Sequence, residues 1–157
     1  MLTVLGIDPG LRRTGFGIIS IKCSVVKYEG SGTIKTESKM SDAWRLKEIF
    51  NSLHSIISDY SPTNAVVEKV FANSNPKSTL ALGQARGAAM TALASKNIPV
   101  FEISSTEIKK TIVGNGHADK IQVQFMVRRL LNLKGSFETD SSDALACALA
   151  FERINKK

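Results

Sequence analysis

Short apolar runs separated by tight turns fill the first 36 residues, and further along the chain apolar positions recur at steps of three and four. The runs 3–8, 14–21 and 24–36 read as three strands of an antiparallel meander, the first ending abruptly at Pro9-Gly10. The glycines at 15, 17, 30 and 32 suit bulges and bends in those strands. Ser41-Asp42 then caps a helix on which Leu46, Ile49, Phe50, Leu53, Ile56, Ile57 and Tyr60 make one apolar face, ended by Ser61-Pro62. A strand over 64–70 gathers Ala65, Val66, Val67 and Val70 around Glu68 and Lys69. Residues 71–77 form a polar loop interrupted by Pro76, at the carboxyl end of a strand, where open α/β sheets place ligands.

The rest of the pattern is mostly helical. A helix over 78–96 is rich in Ala and Gly, so it favours close contact with a neighbouring backbone, within the domain or across a dimer. A short strand over 99–103 leads into a brief helix capped by Ser104 or Ser105 and running through Ile112. Gly114 and Gly116 mark a loop suited either to helix C-caps or to close approach of a phosphate. The helix 119–131 has Ile121, Val123, Met126, Val127, Leu130 and Leu131 on its apolar side. Residues 135–138 read as a loop, and Thr139 to Asp143 open the last helix. The order is β-β-β-α-β-α-β-α, an α/β domain spanning 1–157.

Composition narrows the class. At 157 residues, 43% hydrophobic and 22% charged, the chain is long and apolar enough for one folded domain, which sets disorder aside. The net charge of +7 and pI near 9.6 point to a polyanionic partner. The excess sits later: residues 77–157 carry 12 Lys and Arg against 7 acids, while 1–76 carry 9 against 7. Cys23 and Cys147 have no metal-ligand spacing and read as reduced thiols. The N-terminus lacks a charged region and cleavage site, and no apolar run approaches 18 residues, so a soluble, cytoplasmic protein without a membrane partner is expected.

The candidate chemistry lies in four acids. Asp8 ends an apolar strand, Glu68 stands inside another, and Asp140 and Asp143 share a face in the first turn of the last helix. Each has a plainer explanation as turn chemistry, a solvent-facing edge position or helix capping. An acid in a mostly buried strand is costly unless paired or bound to a cation, and four together suggest an oxygen-rich metal site. His54 reads as a helix-surface residue and His117 as a loop residue, neither belonging to the acid cluster.

Five segments in order resemble the RuvC family of Holliday-junction resolvases, within the ribonuclease H-like superfamily. They are Gly6-Ile7-Asp8-Pro9-Gly10 with Thr14-Gly15-Phe16-Gly17, Glu68-Lys69-Val70-Phe71, Leu82-Gly83-Gln84-Ala85-Arg86-Gly87, Val113-Gly114-Asn115-Gly116 with Lys120-Ile121-Gln122-Val123, and Asp140-Ser141-Ser142-Asp143-Ala144-Leu145-Ala146. Leu11 stands where a small polar residue is commoner, and Ser141-Ser142 where an alanine pair is; neither change touches a carboxylate.

The resemblance implies a ribonuclease H-like fold: a mixed five-stranded sheet, three strands antiparallel and two parallel, flanked by helices. It implies an endonuclease that resolves four-way DNA junctions by paired symmetric nicks. Asp8, Glu68, Asp140 and Asp143 would hold two Mg²⁺ ions, with Mn²⁺ able to substitute, and Lys109 and Lys120 would lie near the scissile phosphate. Phe71 would stack on an unpaired base at the crossover, and Lys77 and Arg86, with both lysines, would contact DNA. A homodimer is implied, with a RuvA–RuvB branch-migration complex as a candidate further partner. The same acids suit a related nuclease acting on hybrids or single strands, and a junction-binding module without catalysis is the non-enzymatic alternative.

Overall fold

The meander forms as the short runs and tight turns predict, with β1 (Leu2–Asp8), β2 (Arg13–Lys22) and β3 (Val25–Lys35) paired antiparallel. The computed structural model describes residues 1–69, 71, 74–134 and 138–155; Val70 and the predicted loop residues 72, 73 and 135–137 lie outside these. β4 (Asn64–Lys69) runs parallel to β1, and β5 (Val100–Ser104) parallel to β4. One five-stranded sheet results, in the order β3-β2-β1-β4-β5. Around it lie α1 (Asp42–Tyr60), α2 (Pro76–Ala94), α3 (Ser105–Val113), α4 (Lys120–Leu130) and α5 (Thr139–Asn155). Among the described residues no helix is long and apolar enough to cross a membrane.

Both faces of the sheet are covered, which is why β1 and β4 read as unbroken apolar runs. Leu5, Ile7, Ala65 and Val67 pack with α1 and α2 through Ile49, Leu53, Ala85 and Ala89. Val4 and Val66 point the other way, into a second core with Ile108, Val123 and the buried residues of α5. Each large aliphatic side chain fully enclosed there contributes about 1.5–3 kcal/mol.

α5 is apolar on every side between Ala144 and Ala150, as befits a helix sunk into the fold. It lies hard against β1 and β2. A Cβ on Gly6 would overlap the Ala144 carbonyl, and one on Gly15 the Asp140 carbonyl. Gly15 and Gly17, expected at bulges or bends, instead sit in regular pairing with β1, clearing space for this helix. The irregularity falls one step further, between Ile18 and Ile19 opposite Gly30 and Tyr28.

Other local expectations shift for identifiable reasons. Pro76 opens α2 rather than interrupting the loop, because the Asn75 side chain accepts from the Lys77 and Ser78 amides and Pro has no amide to satisfy in a first turn. Ser41 occupies the N-cap position of α1 without a side-chain cap bond. Only Gly114 among the described glycines takes the left-handed C-cap conformation. Ile121, placed on the apolar side of α4, is 77% exposed; Val123, Val127 and Leu131 face the core instead.

Candidate active site

Three elements deliver the acids to one place. Asp8 ends β1, and because Ile7 pairs with Val67 in the parallel register, Glu68 stands beside it. Gly6 lies under α5, so by the two-residue period of a strand Asp8 emerges on the α5 side. The close seating of α5 brings its first turn, with Asp140 and Asp143, over the same end of the sheet.

Two short helices add the cations. Ser104 caps α3 by accepting from the Glu107 amide at 3.2 Å, which leaves the neighbouring Ser105 hydroxyl to hydrogen-bond Glu68. Lys109 follows one turn later on the same helix. α4 starts at a reciprocal capping box: Asp119 accepts from the Gln122 amide at 2.8 Å, and the Gln122 side chain accepts from the Asp119 amide at 2.9 Å. That box fixes Lys120 as the first helical residue, and its Nζ donates to Asp143 Oδ2 at 3.2 Å.

Asp8, Glu68, Lys109, Lys120 and Asp143 line a cleft of about 250 Å³ floored by Ile108 and Val123. Burial, then the charges of Glu68 and Asp143, raise the Asp8 carboxyl from 3.8 to about 7. Burial also raises Glu68, with Asp143 adding to it, while the Ser105 hydrogen bond, Lys120 and Lys109 pull the other way. Asp143 is raised by burial against the opposing pull of Lys120, and Lys120 in turn is raised chiefly by Asp143. Acids are thus crowded here beyond what two lysines neutralise. Among the described residues, no three His, Cys, Asp or Glu side chains are grouped tightly enough to hold a metal ion between them as placed.

The sequence-predicted residues divide accordingly. Asp8, Glu68, Asp143, Lys109 and Lys120 meet in the cleft. Asp140 stands beside it, close enough for its charge to raise Asp8, with its Oδ2 3.5 Å from Arg13 Nη1. Phe71, 69% exposed, follows the Glu68 strand, and Lys77 is exposed at the start of α2. Arg86 is not brought to the cleft: it pairs with Glu102 of β5. Ile103 and Phe101 of β5 face the α5 core, so Glu102 and Arg86 lie on the opposite side of the sheet. His54 bonds Ser95 Oγ at 2.7 Å, and His117 is an exposed loop residue. Cys23 and Cys147 are free thiols, the second buried.

Ser105 and Arg13 escaped the reading from sequence. Two adjacent serines ahead of a helix that needs one cap are a signal for the first. The two-residue period that puts 13 on one face with Gly15 and Gly17 is the signal for the second.

A mixed sheet in this order, with acids at the ends of β1 and β4 and at the start of a central helix, defines a ribonuclease H-like enzyme. The family model for crossover junction endodeoxyribonuclease RuvC matches residues 4–151. A protein of that description from Methylobacillus flagellatus is 53% identical over 151 residues, covering 93% of this chain and 84% of its own length. One from Dechloromonas aromatica is 52% identical over 147 residues, covering 94% and 82%. Among solved structures, Thermus thermophilus RuvC in complex with a Holliday junction substrate matches at 27% identity and TM-score 0.93, covering 99% of this chain and 96% of that one. The yeast mitochondrial Holliday junction resolvase, at 16% identity and TM-score 0.66 over 96% of this chain and 78% of its own, shares the fold. The chain belongs to the RuvC family of crossover junction endodeoxyribonucleases.

Proposed function

We propose that this chain resolves four-way DNA junctions by paired nicks in two like strands, with Asp8, Glu68, Asp140 and Asp143 as ligands of divalent ions. The observation that carries this is the convergence of three of those acids and two lysines in one cleft, with the fourth acid beside it. The donor set fits such ions. It is all carboxylate oxygen, burial and the charges of the other three acids raise the proton affinity of Asp8, and Asp140 Oδ2 is buried without a hydrogen-bond partner. Mg²⁺ suits hard oxygen ligands, with Mn²⁺ substituting, and the family resemblance implies two ions per site. When bound, divalent ions held by Asp8, Glu68, Asp140 and Asp143 would supply water activation and charge neutralisation at the leaving oxygen.

The side chains do the remainder. Asp8, with its carboxyl near 7, keeps part of its proton at neutral pH and releases it on binding a cation. Lys109 and Lys120 bring positive charge to the cleft where a scissile phosphate would lie, and Ser105 holds Glu68 in orientation. Phe71, exposed beyond β4, offers a stacking face to an unpaired base, and Lys77 offers a phosphate contact. Arg86 serves to tie α2 to β5 in this reading.

One chain has one set of acids, and two symmetric cuts need two sets, so the active species is a homodimer. α2 supplies a surface for it: Leu80, Gly83 and Gly87 share one exposed face, and a Cβ on either glycine would meet nothing within 4 Å. Residues 1–157 act as one nuclease domain working in the cytoplasm, with a RuvA–RuvB complex as a candidate partner.

The test incubates the purified protein and Mg²⁺ with a four-way junction, a linear duplex and an RNA–DNA hybrid, and with a supercoiled cruciform plasmid. Junction cutting at symmetric positions and linear plasmid product are expected. Equal cutting of the hybrid favours a general ribonuclease H-like nuclease. Junction binding without cutting under Mg²⁺ or Mn²⁺ leaves a binding module.

A further inference from the structure

The β2 face that carries Gly15 and Gly17 beneath α5 also carries Arg13. The strand therefore aims this guanidinium at the first turn of α5, where its Nη1 lies 3.5 Å from Asp140 Oδ2. That oxygen is buried and has no hydrogen-bond partner, so the contact is one of charge alone. Arg13 is half exposed, its side chain 53% accessible against 25% for Asp140, so it can swing into solvent while Asp140 stays.

The neighbouring pair differs in kind. Lys35 is in register with Arg13 on β3 and donates a 2.7 Å hydrogen bond to Glu138, just ahead of α5. This second tie between the hairpin and the start of the helix remains when Arg13 is changed, which separates an effect on ion binding from one on the seating of α5.

We infer that Arg13 is a built-in counter-ion for Asp140 that competes with a divalent cation for that carboxylate and so sets the cation concentration at which the site fills. This rests on the reading of Asp140 as a metal ligand. Lys120 stands in a comparable relation to Asp143, but through a hydrogen bond and inside the cleft, so it remains beside a bound phosphate. Arg13 lines the outer side of the cluster, in a groove shared with Arg12, Lys35 and Thr36, into which a displaced guanidinium can move. Removing a single charge a few ångströms from a doubly charged ion, at a half-exposed position screened by salt, strengthens ion binding by about three- to tenfold.

The experiment measures Mn²⁺ binding to the DNA-free protein by the loss of the free-ion electron paramagnetic resonance signal. Proteins compared are wild type, Arg13→Gln, Arg13→Lys, Asp140→Asn and the Arg13→Gln, Asp140→Asn double variant. Arg13→Gln should bind Mn²⁺ about three- to tenfold more tightly, Arg13→Lys close to wild type, and the gain should vanish in the Asp140→Asn background. Unchanged or weaker binding by Arg13→Gln, or an equal gain without Asp140, overturns the inference while leaving the metal site intact. A wild-type protein that takes up no Mn²⁺ overturns the metal site and this inference together.

Discussion

The two faces of the sheet are built from the same strands and do opposite things. On the α1 and α2 side, Leu5 and Ile7 of β1 and Ala65 and Val67 of β4 close against Ile49, Leu53, Ala85 and Ala89. On the α5 side, Gly6, Gly15 and Gly17 withdraw side chains altogether, and Asp8 and Glu68 introduce charge. The first face gains about 0.8 kcal/mol for each methylene it buries, and the second forgoes part of that gain. What the second face receives is position. With no Cβ between them, the α5 backbone rests on β1 and β2, and the acids of its first turn arrive over the acids of the strands. Gly6, Gly15 and Gly17 are therefore seats for a helix, and the apolar face offsets the burial that the acidic end of the other face forgoes.

Adding one carbon at a seat should have the largest effect. Gly6→Ala sets a Cβ against the Ala144 carbonyl and the Ala148 amide, backbone atoms that cannot turn aside. Overpacking there is expected to cost about 3 kcal/mol or more. Cleavage should fall with it, as the first turn of α5 lifts from the sheet. The paired control removes a carbon on the other face: Ile7→Val, in the α1 and α2 core, should cost about 0.5–1.5 kcal/mol. Urea unfolding of both variants decides the matter. Equal losses would mean that the close approach of α5 contributes nothing special.

Next comes the charge. Asp8→Asn should reduce junction cleavage by about 10²–10³ while leaving junction binding unchanged or tighter. The same variant should stabilise the metal-free protein in one pH range only. The folded-state carboxyl is raised to about 7, by burial first and then by Glu68 and Asp143, above its ordinary 3.8. Wild type therefore loses stability as pH rises between those values, because the folded state resists giving up the proton. Melting in chelator should show Asp8→Asn more stable than wild type above about pH 7 and level with it below about pH 4. A constant difference across that range would remove repulsion and burial at Asp8 as the cause.

Much of this is legible in the sequence. The strand meander, the parallel strand with Glu68 and the helix opening on Asp140 follow from period and turn residues, because two-sided burial writes continuous apolar runs into β1 and β4. Other features depend on spatial neighbours that local pattern does not encode. Gly15 reads equally as a bend or as a seat until the helix that lies on it is known. Arg86 lies in a segment resembling a nuclease motif, yet its partner Glu102 is 16 residues away, across the sheet from the cleft. Ile121 fits a helical apolar stripe, but α4 meets the core along Val123, Met126, Val127, Leu130 and the following Leu131, so the stripe stops short of Ile121.

The smallest effect tests a glycine of the other kind. Gly83 lies on the exposed face of α2, where an added Cβ meets nothing within 4 Å, so the methyl that breaks the seat at Gly6 is harmless to the single chain. Replacing a helix-interior glycine by alanine should stabilise the monomer by about 0.5–1 kcal/mol, since the unfolded chain loses conformational freedom. If α2 is where two copies meet, the same methyl stands between helices that small residues allow to approach, and the dimer should dissociate more readily. Gly83→Ala is therefore expected to unfold at higher denaturant when dilute and to sediment as monomer at concentrations where wild type is dimeric. Unfolding measured well below the dimer concentration separates the two terms. A variant that gains stability and keeps wild-type association would move the dimer contact off the Leu80, Gly83 and Gly87 face, leaving those glycines to be explained by neither seat nor interface.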